Sequence, residues 1–219
     1  MSREQSPNSQ AIACHFAAML SQLFRDPSGA RGHADASAAV SAEHGFSFWL
    51  AGSAVLGGWA RAADSPDDGM ARLRRGLDDW AATGSVTYRT WYLGLLGEVL
   101  TRAGLVKEAR AVLAEALALV ERTEERLYEA ELCRLRGESF LRGGTAPDEG
   151  AAQSAREAFE QSLDVARGQG AKSLELRAAI SLTRLGQRRD LLAEVFGSFT
   201  EGFNTPDLVE AAELLRALS

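Results

Sequence analysis

Apolar residues along this chain recur every three or four positions, the spacing of a helix with one inward face, and nowhere alternate as a strand requires. From Ser9 to Arg25, Ile12, Phe16, Met19, Leu20 and Leu23 share such a face, and Asp26-Pro27-Ser28-Gly29 ends the run. An Ala-rich helix from Ala30 to His44 follows and stops at Gly45. Phe46 to Ala63 carries Phe48, Trp49, Val55, Leu56 and Trp59. Ser65-Pro66-Asp67-Asp68 is then a start signal. Ser65 can cap, Pro66 suits the first helical position, and the two acids complement the helix dipole. The fourth helix holds Met70, Leu73, Leu77 and Trp80 and ends at Thr83-Gly84.

Ser85 to Glu124 shows the plan most clearly. One helix carries Leu93, Leu96, Gly97 and Leu100, Ala103-Gly104 breaks it, and a second carries Ala109, Leu113, Ala116 and Leu117. Leu-Gly, a Gly turn, then Ala-x3-Leu-x2-Ala is the pattern of a tetratricopeptide-type helix pair, in which small residues let two helices approach closely. A seventh helix runs from Leu127 to Arg142 and breaks at Gly143-Gly144-Thr145-Ala146-Pro147. The eighth passes through Ala155, Phe159, Leu163 and Val165 to Gly168-Gln169-Gly170, and the ninth covers Ala171 to Leu185. A short tenth covers Leu191 to Phe199, and Leu208 to Leu218, after Thr205-Pro206-Asp207, closes the chain.

Gly57, Gly97 and Gly137 recur at intervals of 40, as do Thr83-Gly84 and Thr123-Glu124. The next matching turn, Gln169-Gly170, comes 46 later, and the surplus falls in Gly143 to Gly150, as a loop insertion would. The period exceeds the roughly 34 residues of an ordinary tetratricopeptide. These patterns predict an all-α, tetratricopeptide-type helical-repeat solenoid of about five helix pairs plus a C-terminal capping helix. Residues 1–8 are expected to be disordered, and 9–219 to form one domain.

Composition narrows the function. The 219 residues carry a formal net charge of −6, which speaks against nucleic-acid binding, since that needs a basic face. A hydrophobic fraction of 46% supplies a core, and no run has the length of a membrane span. No secretory leader is evident, so a cytoplasmic location is expected. Lys107 and Lys172 are the only lysines, an Arg bias that fits a GC-rich bacterial coding sequence. Cys14 and Cys133 each fall in an apolar helical pattern and read as buried free thiols.

Several groups of residues resemble the C-terminal helical-repeat region of large bacterial proteins. These join an adenylate/guanylate cyclase domain or a DNA-binding regulator domain to a signalling ATPase and a tetratricopeptide tail. The matching residues include Glu43-His44-Gly45-Phe46, Gly58-Trp59-Ala60, and Gly76-Leu77 with Trp80 and Thr83-Gly84. They continue through Ala116-Leu117, Glu131-Leu132, Arg134-Leu135, Gly137-Glu138 and Gly170-Ala171-Lys172-Ser173. Leu176-Arg177-Ala178-Ala179, Phe199-Thr200-Glu201-Gly202-Phe203 and Thr205-Pro206-Asp207-Leu208 complete the set. The resemblance covers the chain from about Gln10 and implies a solenoid with a sensing or partner-binding role. It departs at Glu124, where a Gly is usual, and after Leu185, where the chain is shorter. The catalytic and ATPase domains have no counterpart here, so their activities do not carry over.

Chemistry is sparse. Gly168-Gln169-Gly170-Ala171-Lys172-Ser173 lacks the glycines of a phosphate loop and reads as a turn with a helix start. His15, His33 and His44 have no metal-ligand spacing with the cysteines, and His44 sits where an imidazole can meet helix-end carbonyls. No cofactor or metal is expected, and no catalytic set is visible. In a tetratricopeptide solenoid the first helix of each pair lines a groove. Counting from the small residue of each first helix places Trp91, Glu98 and Arg102 in one repeat, and Glu131, Arg134, Glu138 and Arg142 in the next, with Glu175 extending the row. A mixed-charge groove with one aromatic suits a peptide or protein loop. Trp49, Trp59 and Trp80 are expected in the core, with Trp91 facing the groove. The chain is thus expected to be a non-catalytic scaffold for protein–protein interaction in bacterial signalling, with terminal helices that can form a homodimer. The alternative is a ligand-sensing module of a cyclase/ATPase-type protein, here a fragment without its effector domains.

Overall fold

The computed structural model describes residues 6–142, 149–186 and 188–218. The apolar spacing is realised as eleven helices among these residues, with no strand. They are α1 (Pro7–Leu23), α2 (Pro27–His44), α3 (Ser47–Arg61), α4 (Pro66–Ala82), α5 (Arg89–Arg102), α6 (Val106–Thr123), α7 (Glu129–Leu141), α8 (Glu149–Gln169), α9 (Lys172–Arg184), α10 (Arg189–Gly197) and α11 (Pro206–Ala217). The expected break at Gly143 to Pro147, and most of the loop insertion around it, lie outside the described residues. Pro7 and Asn8, expected in the disordered stretch, belong to α1.

The chain divides into two compact units, Met1–Val99 and Leu100–Ser219. In the first, α1 packs on α2 and α3, and α3 on α2 and α4. Glycines set how close α3 and α4 come. A Cβ on Gly58 would lie 2.6 Å from the Leu73 backbone N, and one on Gly69 would lie 2.3 Å from that of Ala62. Trp59, Trp80, Tyr92 and Leu56 fill the interior. In the second unit, α7 packs on α6, α8 and α9, and α9 on α8, α10 and α11. Phe159, Leu163, Leu176, Leu182, Leu192 and Val195 form its core. A Cβ on Gly137 would come within 2.3 Å of the Phe159 ring, so the small residue at this repeat position is required by packing.

The second helix of each of the first four pairs is followed by one residue in the left-handed region. These are Gly45 (φ 71°), Gly84 (φ 76°), Glu124 (φ 57°) and Gly170 (φ 66°). Such a residue turns the chain out of the helix while its N–H, or the next, caps a free carbonyl; Glu124 N–H donates to Val120 O at 2.8 Å. Glu124 therefore adopts the backbone geometry that glycine supplies at Gly45, Gly84 and Gly170.

The first turn differs from expectation. Asp26-Pro27-Ser28-Gly29 begins α2 rather than merely ending α1. Asp26 Oδ1 accepts from Gly29 N–H at 2.9 Å, and Pro27 holds the first helical position. The reversal is confined to Phe24-Arg25, with Arg25 at φ 57°. Ser65, by contrast, makes no side-chain cap hydrogen bond. Pro66, Asp67 and Asp68 stand at the start of α4 as expected.

Candidate functional site

The residues expected to line a groove lie on helices that are buried around much of their circumference. On α7, every residue from Glu129 to Leu135 is buried, and on α9 every residue from Glu175 to Thr183. Charged groups in such positions must be paired, because an unpaired buried charge costs several kcal/mol.

In the second unit they are paired with one another. Glu131, 2% exposed, accepts from Arg134 Nε at 2.9 Å and from Arg134 Nη2 at 2.7 Å, a two-pronged fork. Arg134 Nη1 donates to Glu138 Oε1 at 3.1 Å, and Ser181 Oγ on α9 donates to the same oxygen at 3.1 Å. Arg177, also on α9, lies 3.7 Å from Glu131 and donates through Nε to Asp207 at the head of α11 at 2.7 Å. Asp207, Arg177, Glu131, Arg134, Glu138 and Ser181 thus form one connected chain across three helices. Burial by itself would weaken Arg177 as a base, but the charges of Glu131 and Asp207 outweigh it and raise its pKa.

Each carboxylate in this chain faces a guanidinium. The arrangement positions charge; it does not supply a nucleophile beside a base. Among the described residues no group of His, Cys, Asp and Glu is placed to hold a metal ion.

The expected groove residues fare differently. Glu131 and Arg134 are buried within the network, Glu138 is partly exposed at its edge, and Arg142, one turn on, is exposed. Arg102 is also exposed. Glu175 is buried but lies outside the network, accepting from Arg167 Nε of α8 at 2.8 Å and from Lys172 Nζ at 3.2 Å. Burial pushes its pKa up, and these two cations together bring it below the usual value. Arg177, Ser181 and Asp207 were not among the expected positions. The signal for them was the one-turn spacing of Arg177 and Ser181 on α9, which matches that of Arg134 and Glu138 on α7.

In the first unit, Trp91 does not face an open groove. It is buried, and its indole Nε1 donates to Gln22 Oε1 of α1 at 3.1 Å. Glu98 is buried too and accepts from Trp59 Nε1 of α3 at 2.8 Å. Tyr92 Oη lies 3.3 Å from Nε2 of the fully buried His15. Trp59 and Trp80 are core residues as expected, whereas Trp49 is half-buried and donates to Asn8 Oδ1 at 3.2 Å. Cys133 is a buried free thiol as expected, whereas Cys14, expected to be buried too, is only half-buried.

The fold has solved counterparts. Two crystal structures of a kinesin light chain-like protein from Podosopora anserina, built of nearly identical TPR-like repeats, match this chain with TM-scores of 0.57 and 0.56. Each is 17% identical and covers 98% of this chain, against 97% and 96% of its own length. No family model and no curated protein matches the sequence. At this identity the likeness shows the fold alone: an all-α, TPR-like helical-repeat solenoid, the class the sequence predicted.

Proposed function

We propose that this chain is a non-catalytic helical-repeat scaffold that holds segments of partner proteins, with 9–219 acting as one repeat domain. The observation that carries this reading is the state of Glu138. Arg134 and Ser181 both donate to its Oε1 from the interior, so a partly exposed carboxylate is held in one orientation at the edge of α7. Arg142 stands exposed one turn further along the chain. A fixed acceptor beside an exposed guanidinium suits a peptide segment with its own basic and acidic side chains. Glu131, Arg134 and Glu175 then serve as supports, and Arg102 as a further exposed cation. A cytoplasmic role in bacterial signalling, and a setting beside cyclase or ATPase domains, are supported by the residue words the chain shares with such proteins.

The test uses Glu138→Arg and Arg142→Glu, both at positions with open surface. Proteins retained by the wild-type chain from a bacterial lysate are identified, purified and titrated against wild type and variants. The expected result is a Kd at least about tenfold weaker for either variant, the range for a lost charge-assisted contact, with helix content unchanged. A partner that binds both variants as tightly as wild type, or no retained partner, overturns the reading.

A further inference from the structure

Among the eleven helices, α1 carries no Asp, Glu, Lys or Arg. Its inner face, Ala11, His15, Ala18, Met19 and Gln22, is buried. The opposite face is not. Phe16 is 41% exposed and Leu20 55%, with Leu23 and Phe24 also open. Single exposed apolar side chains need no explanation, but a contiguous stripe without charge does. Ala13, Phe16, Leu20 and Leu23 are spaced 3, 4 and 3 residues apart, the alternation of a coiled-coil seam. A seam of this spacing is matched by another helix rather than by a sheet edge or an extended peptide.

We propose that α1 pairs with α1 of a second copy of this chain, antiparallel across a two-fold axis. The spacing is self-complementary in that arrangement. With the axis level with Ala18, Phe16 meets Leu20 of the second copy and Ala13 meets Leu23. Small thus faces large, and symmetry repeats both contacts. The residues flanking the seam that keep some open surface, Ile12, Ala17 and Phe24, are apolar, so α1 offers no charge by which to select an unlike partner. Charge points the same way. Two chains of formal net charge −6 repel, and a face free of carboxylates is the one at which they approach with least penalty. This pairing is independent of the peptide-holding reading above.

Sedimentation analysis of the full chain over a wide concentration range tests it. The expected mass at high concentration is twice 23.5 kDa, halving for Leu20→Glu with unchanged helical circular dichroism. If Leu20→Glu loses helicity, Leu20→Gln is read instead. Orientation is tested in a Cys14→Ser background by mixing Phe16→Cys chains with Leu20→Cys chains under mild oxidation. Antiparallel pairing joins position 16 to position 20 in preference to either with itself. A wild type that stays monomeric overturns the proposal and leaves the stripe to some other helix. So does a dimer indifferent to both Leu20 substitutions, or a preference for 16–16 and 20–20 links.

Discussion

Arg177 on α9 donates from Nε to Oδ2 of Asp207 on α11 at 2.7 Å, with only 5% of its own surface exposed. The guanidinium therefore joins the closing helix to the inner face of the second unit. Arg177→Met would leave Asp207 without this partner, while Glu131 keeps its fork from Arg134. The expected loss of stability is about 3 kcal/mol, the size found for broken buried pairs. Asp207→Asn removes charge but keeps an acceptor, and about 1 kcal/mol is expected. Urea unfolding of the single and double variants should show a total smaller than the sum, because the two groups share one interaction.

Glu124 occupies a left-handed position that glycine holds at Gly84 and Gly170. A side chain there is strained by roughly 1 kcal/mol relative to glycine. Glu124→Gly should raise the urea midpoint by a corresponding amount. Gly84→Ala and Gly170→Ala should lower it, measured in the same series.

His15 gives stability a pH dependence with a definite sign. Burial lowers its pKa from the ordinary 6.5 to about 4, and the groups facing it are Tyr92, Trp49 and Phe16, none of them charged at neutral pH. Between these values the unfolded chain takes up a proton that the folded chain refuses. Stability is therefore fully present above pH 6.5 and is lost as pH falls toward 4, by about 1.3 kcal/mol between pH 7.5 and pH 5.5. His15→Leu should flatten the profile over that interval in urea titrations.

Burial raises the Cys133 thiol to about 11. In the native protein at neutral pH an alkylating reagent should label Cys14 well before Cys133, since the thiolate is the reactive form. Peptide mass spectrometry of briefly treated protein reads the order directly. Comparable labelling of both would mean that α7 opens readily.

The helices were legible because their signals are local. Each apolar stripe needs only its own dozen residues, and the 40-residue spacing of Gly57, Gly97 and Gly137 repeats the message. The site was legible in part. Glu131, Arg134 and Glu138 sit on one face of α7 whatever surrounds them, so their helix face could be read. Whether that face is open could not, because it depends on how near α9 and α11 approach. Glu175 and Arg177 show the limit. They are two residues apart, about 200° around a helix, and it is Arg177 that meets the α7 charges. Trp91 was placed in the open by the same count, and the distance that buries it against Gln22 spans 69 positions of sequence. Asp26-Pro27 was misread for a different reason, since one dipeptide both ends a helix and starts the next.

The left-handed residues at Gly45, Gly84, Glu124 and Gly170 have a consequence for ancestry and engineering. Each stands in the turn that closes a helix pair, so the chain is punctuated at places where the preceding pair is complete. Duplication of a genetic segment bounded by two such points copies an intact pair together with its own exit. The same points are where a linker, a new terminus or an extra pair would disturb the least packing.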